Sequence, residues 1–257
     1  MKFLCTLLLC GPLLAQTTSS RSVYLDIHRA SPSLEGHFNG TQDGQPVAFD
    51  LQGDLGLEKD SAKLGAAFEY QGPRFGVELA ADEQDYKGFH RLENQITIKG
   101  QDYQAGTDLT SKVVVKSYTL NWTIRIIKPD PWWIGVDVGA RMWDLDLKAS
   151  GYDPVFMVRV EAPEQKVTLP IPQLGLSAGF HAFERRLVVK GFYHLLSRSG
   201  ASYTHLGADA RLFPIKWLGV RAFYDRESFK VPKGSIEDDL EAQLDRSGTG
   251  LGLILRF

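Results

Sequence analysis

The sequence predicts an all-β fold: a transmembrane up-and-down antiparallel β-barrel that crosses a lipid bilayer with its strands. Three observations predict it. The final segment has one aliphatic face and one polar face, the turn residues come in two alternating sizes, and the segments between them alternate apolar with polar residues.

The final segment, Thr249 to Phe257, reads T-G-L-G-L-I-L-R-F. Successive side chains of a strand point to opposite faces. Thr249, Leu251, Leu253, Leu255 and Phe257 therefore share one face, and Gly250, Gly252, Ile254 and Arg256 the other. Leucines dissolved in lipid and an arginine turned toward a polar lumen fit the wall of a membrane barrel.

The breaks come next. Tight turns are expected at Gln71-Gly72-Pro73-Arg74, Lys128-Pro129-Asp130-Pro131, Glu184-Arg185 and Pro214-Ile215-Lys216. Longer polar excursions cover 41–60, 88–111, 148–168 and 230–247, with a short fifth one at Ser199-Gly200-Ala201. Clipped turns at one end and long loops at the other are the pattern of an outer-membrane-type barrel. The segments between breaks are 22–40, 61–70, 75–87, 112–127, 132–147, 172–183, 187–198, 203–213, 217–229 and 248–257. Ten strands are expected, with eight or twelve left open; Ile96-Thr97-Ile98 and its neighbours would supply the extra hairpin for twelve.

The faces agree from segment to segment. Leu206, Ala208, Ala210 and Leu212 oppose His205, Asp209 and Arg211; Ile134, Val136, Val138 and Ala140 oppose Asp137 and Arg141. Leu218, Val220, Ala222 and Tyr224 oppose Arg221 and Asp225, and Val77, Leu79 and Ala81 oppose Glu78, Asp82 and Gln84. Tyr118, Leu120, Trp122, Ile124 and Ile126 oppose Ser117, Thr119, Asn121, Thr123 and Arg125. With the faces exchanged, the same alternation would suit a soluble, lipocalin-like barrel. The terminal strand and the unequal connections favour the membrane, as do Tyr70, Phe75, Trp132, Trp133, Phe213, Trp217 and Phe257 near the tight turns, where an interfacial aromatic belt belongs.

The last nine residues resemble the C-terminal targeting signal of bacterial outer-membrane β-barrels, with Phe257 as its terminal aromatic; Leu251 departs from it by standing where a polar residue is usual. The stretch from Phe75 to Ile126, with I-T-I-K-G-Q-D-Y-Q-A-G-T-D-L-T-S at 96–111, resembles a group of uncharacterised proteobacterial-type outer-membrane barrel proteins, as does Asp54-Leu55-Gly56-Leu57. This resemblance covers about half of the chain beyond the leader. It implies export to a Gram-negative-type outer membrane, insertion by the barrel-assembly machinery and contact with outer-membrane lipid such as lipopolysaccharide. It implies no established activity.

The other end agrees. Met1-Lys2 followed by the apolar run Phe3 to Leu14 reads as a signal peptide, residues 1–15, cut after Ala15 and leaving the barrel domain at 16–257. The run is too short to span as a helix, which needs ~20 residues. Leu9 before Cys10 lacks the small residue of a lipobox. Cys5 and Cys10 both fall in this leader, which excludes disulfides and thiolate chemistry from the barrel domain. A net charge of −2 gives no argument for nucleic-acid binding.

If the polar faces point inward, Glu78, Asp82, Arg125, Asp137, Arg141, Lys190, Asp209, Arg211, Arg221 and Asp225 line the lumen, with Asp26, Glu69 and Arg256 beside them. A ten-stranded barrel is only slightly wider than an eight-stranded one, whose interior side chains fill. Opposite charges crowded there should pair, and the expected role is a structural barrel or small passive pore with a charged, plugged or narrow lumen. His181, His194 and His205 are also expected to face inward, with Ser177 near His181. No Ser–His spacing matches a recognised outer-membrane enzyme, so catalysis is not expected; a lipid-modifying hydrolase or protease, or a loop-mediated adhesin or receptor, is the alternative. A histidine metal site is not expected, since no pair of ligands two residues apart appears, and neither is a cofactor. Glu237-Asp238-Asp239, Glu241 and Asp245 read as a solvated acidic loop able to recruit divalent cations to lipopolysaccharide, and Gly88 to Leu109 as a segment long enough to fold over the mouth. A monomer is expected.

Overall fold

The computed structural model describes residues 21–42, 45–58, 63–98, 100–153, 158–161, 165–198, 200–233 and 240–257. The leader and Glu237 to Asp239 lie outside the described residues. In chain order the strands are β1 Ser22–Gln42, β2 Gln45–Asp50, β3 Lys63–Gln71, β4 Phe75–Arg91, β5 Ile96–Ile98, β6 Gln101–Tyr103, β7 Asp108–Ile127, β8 Trp132–Asp153, β9 Val158–Glu161, β10 Gln165–Ala182, β11 Leu187–Arg198, β12 Ala201–Leu212, β13 Leu218–Val231 and β14 Leu240–Arg256. Every pairing is antiparallel, and ten of these strands form a closed wall in the order β1, β3, β4, β7, β8, β10, β11, β12, β13, β14. β14 closes onto β1 from Tyr24 opposite Arg256 to Gly40 opposite Leu240. Val23 and Phe257 exchange both backbone hydrogen bonds, at 3.0 and 2.9 Å. Closure matters because lipid offers an unpaired strand edge no hydrogen-bond partner.

The count of ten wall strands agrees with the sequence reading, but the extents do not. Much of what the sequence reads as loop is strand: β4 runs to Arg91, β8 to Asp153, and β7, β10 and β14 begin at Asp108, Gln165 and Leu240. The hairpin at Ile96 forms, as β5 and β6, but stays out of the ten-strand wall; it joins β2 through Ala48 opposite Thr97. Glu241 and Asp245 belong to β14 rather than to a loop.

The reason for the misreading is that the strands change polarity partway up. On β8 the outward side chains are Trp132, Ile134, Val136, Val138, Ala140 and Met142, then Asp144, Asp146, Lys148 and Ser150. Inward, Asp137 and Arg141 give way to Trp143, Leu147 and Ala149. On β7 the outward set passes from Tyr118 to Lys116, and on β4 from Ala81 to Glu83. These changes lie in register: Ala81, Tyr118, Met142 and Pro170 form one row, and Glu83, Lys116, Asp144 and Thr168 the row above. On β1 and β14 the outward change comes between Ile27 and Arg29 and between Leu251 and Thr249. Below this ring the wall is apolar outside and polar inside; above it the arrangement is that of a soluble barrel. The apolar side of β8, Trp132 to Met142, is eleven residues long, and a tilted strand needs ~9–11 to cross a bilayer.

Above the ring the barrel is filled with a hydrophobic core. Leu34, Tyr86, Val113, Val115, Trp143, Ile171, Tyr203 and Leu244 enter it from strands all round the wall. The segment after β2 adds Leu51, Leu55 and Leu57, and the 92–103 segment adds Leu92, Ile96, Ile98 and Tyr103. The expectation that 88–109 covers the mouth takes this form. The D-L-G-L stretch is stapled locally: the Asp50 carboxylate accepts from the Gln52 and Gly53 amides at 2.9 and 2.5 Å, and Asp54 accepts from the Asp50 amide at 2.7 Å. Gly88 is glycine for a reason, since a Cβ there would meet the Leu55 carbonyl and the Gly56 backbone.

The tight-turn end is closed too, by Tyr24, Val188, Phe213 and Ile254. Two members of the expected aromatic belt are corrected here. Phe213 has no exposed surface and Trp133 is 9% exposed, because each follows an outward residue, Leu212 or Trp132, and the period of two turns it inward. Phe75, Trp132, Trp217 and Phe257 remain outward.

Candidate functional site

Between the two apolar closures lies a layer of charge, and the strand register places its members. Asp26 and His28 alternate inward on β1, Glu78 and Asp82 on β4, Asp137 and Arg141 on β8, Arg221, Asp225 and Glu227 on β13. Lys190 of β11 reaches across the lumen to Glu78 at 2.9 Å and Glu69 at 3.6 Å. Arg211 of β12 spans to Glu69 at 2.6 Å while holding Asp209 of its own strand at 2.9 Å. Arg221 joins Asp209 at 3.4 Å to Asp26 at 2.6 Å. From Asp26 the web continues through His28, whose ring nitrogens lie 2.8 Å from Asp26 and 2.8 Å from Asp82. Room for that ring comes from Gly65 opposite, where a Cβ would strike both His28 and Asp82.

A second web sits just beneath the hydrophobic core. Glu227, with no exposed surface, receives Arg141 at 2.6 Å and Arg246 at 3.1 Å. Arg246 also donates to Gln84 at 3.1 Å and lies 3.8 Å from Asp225. Asp137 accepts from Thr123 at 2.6 Å and Ser177 at 2.8 Å, with His194 3.0 Å away. Of the ten lumen residues read from the sequence, Arg125 stands outside both webs: it donates to the Gly72 carbonyl at 2.9 Å and lies over Trp133 at the tight-turn end. Arg256 does likewise, donating to the carbonyls of Lys216 and Arg185 and stacking on Phe213.

Sequence reasoning missed His28, Glu227 and Arg246. Arg246 fell inside a segment read as loop. Glu227 carries the same period-two signal as Arg221 and Asp225 and was legible in principle. His181 was expected in the lumen; it sits at the tight-turn rim, 2.6 Å from the exposed Asp130. Ser177 serves Asp137 rather than a histidine.

His205, Asp225 and Glu227 bring one ring nitrogen and two carboxylates together within 4.8 Å. Asp225 and Glu227 are a pair of potential ligands two residues apart that the sequence reading overlooked. The donor set does not suit a metal ion, because two guanidiniums already occupy Glu227 and one of them reaches Asp225. A bound cation would have to displace or face them. The webs border a chamber of about 90 Å³, lined by His194, His205, Lys190 and Arg221 together with Phe192 and Phe223 among others.

The chain matches no protein-family model and no curated protein sequence. Among solved structures it is similar to the attachment invasion locus protein Ail of Yersinia pestis, in complex with the heparin analogue sucrose octasulfate, at 12% identity, 93% coverage of this chain, 100% of that chain and a TM-score of 0.37. The outer membrane protein OprG of Pseudomonas aeruginosa shares 13% identity, with 92% and 95% covered and a TM-score of 0.34. The toluene transporter TbuX of Ralstonia pickettii shares 9%, with 94% and 90% covered and a TM-score of 0.38. At such values these likenesses say nothing of what the chain does, and its fold rests on its own closed strand register.

Proposed function

We propose that this protein is a monomeric barrel of the bacterial outer membrane whose lumen is closed, serving as a scaffold that carries a rigid β-extension beyond the bilayer. The single observation behind this reading is the filled interior: an apolar core above, cross-lumen ion pairs in the middle and an aromatic closure below. The outer membrane is the fitting bilayer because it is the one crossed by closed barrels with clipped turns at one end. Short turns face the periplasm in that arrangement, and β1 and β14 place both ends of the barrel there. Phe257 and the outward leucines beside it act as the recognition strand for the assembly machinery.

Single-channel recording of the refolded barrel in a planar bilayer tests the closed lumen. The expected result is an inserted, silent protein, in the wild type and in R141Q and R221Q. Discrete steps whose size shifts in either variant would make it a pore instead.

An interaction role above the membrane is the second reading, favoured by strands that run well past the polarity ring. A hydrolase needs its base at the outer rim. Among the described residues each histidine–carboxylate contact lies in the lumen or at the tight-turn end, which supports a non-catalytic barrel.

A further inference from the structure

β10 pairs with β11 only up to Leu174 opposite Leu195. Above that rung Gln165 to Gln173 pair with β8 alone, and Leu196 to Arg198 with β12 alone. The wall therefore parts along a seam that starts at the polarity ring. Leu174 and Leu195 face outward on its last closed rung, and Pro172 and Ser197 are the next outward residues. The two prolines at this place hold the seam apart. The His181 amide donates to the Pro131 carbonyl on the β8 side at 2.9 Å. Along a strand of period two, odd amides of β10 turn that way and even ones turn toward β11. Pro170 and Pro172 are even, so the two donors they lack are ones that pairing with β11 would use.

Behind the seam lies the central chamber. Gln173 is the first inward residue past the last pair, His194 the last within it on β11, and both line the chamber. Gln173 donates to the Tyr203 hydroxyl of β12 at 3.1 Å, passing behind β11 as a latch. Across β8, Gly139 separates Gln173 from Asn121 in one row. A Cβ there would meet Asn121 Oδ1 and the Leu120 carbonyl, so the wall between the two amides is bare. Asn121 Oδ1, Gln173 Oε1 and the Nδ1 atoms of His194 and His205 are buried without a hydrogen-bond partner among the described residues. Such atoms are paired as a rule in native interiors. The lining carries four carboxylates and four permanent cations, engaged in the two webs, so it offers a guest no net charge. Phe192, Phe223 and Ala30 supply an apolar side.

From the seam, its latch and the unpartnered amide oxygens we infer that the chamber takes up a short-chain primary amide sideways, between β10 and β11. The guest's NH2 donates to Asn121 and Gln173, its carbonyl faces the histidines, and its carbons lie against Phe192 and Phe223. The chamber's 90 Å³ equals the bulk of about three waters, which selects a body of two or three carbons. The seam stands where water meets hydrocarbon, so a water-soluble solute reaches it without crossing lipid. The closures above and below stay shut, which takes the inference beyond a passive scaffold without an axial channel.

The test places one cysteine in the chamber. Cys5 and Cys10 lie in the leader, so the barrel domain has no thiol of its own, and Ala30→Cys puts one on β1, across the lumen from the seam. The refolded barrel in neutral detergent is treated with methyl methanethiosulfonate, which is small and uncharged, and mass spectrometry follows the labelling rate. Propionamide should slow labelling saturably, while propionate and propylammonium, of similar bulk but charged, should not. Pro170→Thr/Pro172→Val returns two backbone donors to the seam and should slow labelling about tenfold or more. Gln173→Ala removes the latch and should speed labelling while abolishing protection by propionamide. If the proline pair fails to assemble, Gln173→Ala decides alone. Rates indifferent to these variants, or no labelling at all, would overturn the seam as an entrance. Rates indifferent to propionamide would overturn the amide site. Equal labelling by a trimethylammonium-bearing thiosulfonate would mark an open aqueous pore, refuting the closed lumen together with this inference. Heat-modifiable gel mobility scores the membrane barrel separately, so failure of that reading is told apart from failure of the site.

Discussion

Glu227 shows how much of this barrel depends on single buried side chains. Its carboxylate lies between Arg141 and Arg246, and all three are almost wholly enclosed. Breaking a buried pair by removing one partner is costly because the other charge is left unpaired. Glu227→Ala should therefore lose about 3–5 kcal/mol of folding free energy, read as a lower urea midpoint in micelles. A loss under about 1 kcal/mol would mean that water already reaches the two guanidiniums. The β10–β11 turn offers a change of opposite sign. Phe183, Glu184 and Arg185 all hold positive φ, at 52°, 54° and 64°, a region that costs a non-glycine residue about 1–2 kcal/mol. Glu184→Gly relieves one such position and should raise stability by about 1 kcal/mol in the same titration; a decrease would show that the Glu184 side chain contributes more than its backbone costs. Asp209, Arg211 and Arg221 were legible because each alternates with aliphatic residues along its strand. Which partner each one holds was not, since those partners come from strands far apart in sequence.

Along each strand, the decisive feature is the change of polarity at the ring. Val138 on β8 and Val114 on β7 both lie on the outward side of the wall, but Val138 is below the ring and Val114 above it. Val138→Arg should cost about 2–4 kcal/mol, as arginine does near a bilayer midplane. Val114→Arg should cost under about 0.5 kcal/mol, as at an ordinary exposed position. Equal costs at the two sites would dissolve the ring. The same change explains why 88–111, 148–168 and 230–247 read as loops. Lys148, Ser150, Lys166, Thr168, Gln243 and Asp245 look like solvated connections when the outward side is assumed to be aliphatic throughout. Their inward neighbours Ala149, Ala242 and Leu244 keep the period of two, with its sense reversed. Alternation was present; its meaning depended on the solvent outside.

The assembled barrel depends on closing β14 against β1, and Phe257 sits at that seam through its hydrogen bonds to Val23. Deleting Phe257 should leave export intact and impair insertion, seen in cells as loss of the heat-modifiable form; normal assembly of the truncated chain would remove Phe257 from that role. The strand count, the closed antiparallel order, the outward leucine face and the inward charges follow from local periodicity and turn chemistry, which act over a few neighbouring residues and so can be read along the chain. Three-dimensional closure settled the rest. It brought Lys190 to Glu78, Arg211 to Glu69 and Arg141 to Glu227 across the lumen, filled the upper barrel with Trp143, Tyr203 and Leu55, and aligned Lys87, Lys112 and Lys148 in one row. Those neighbours are set by the register of strands meeting around a ring, and a one-residue slip in any pairing would have turned an entire strand's charges from the lumen to the lipid.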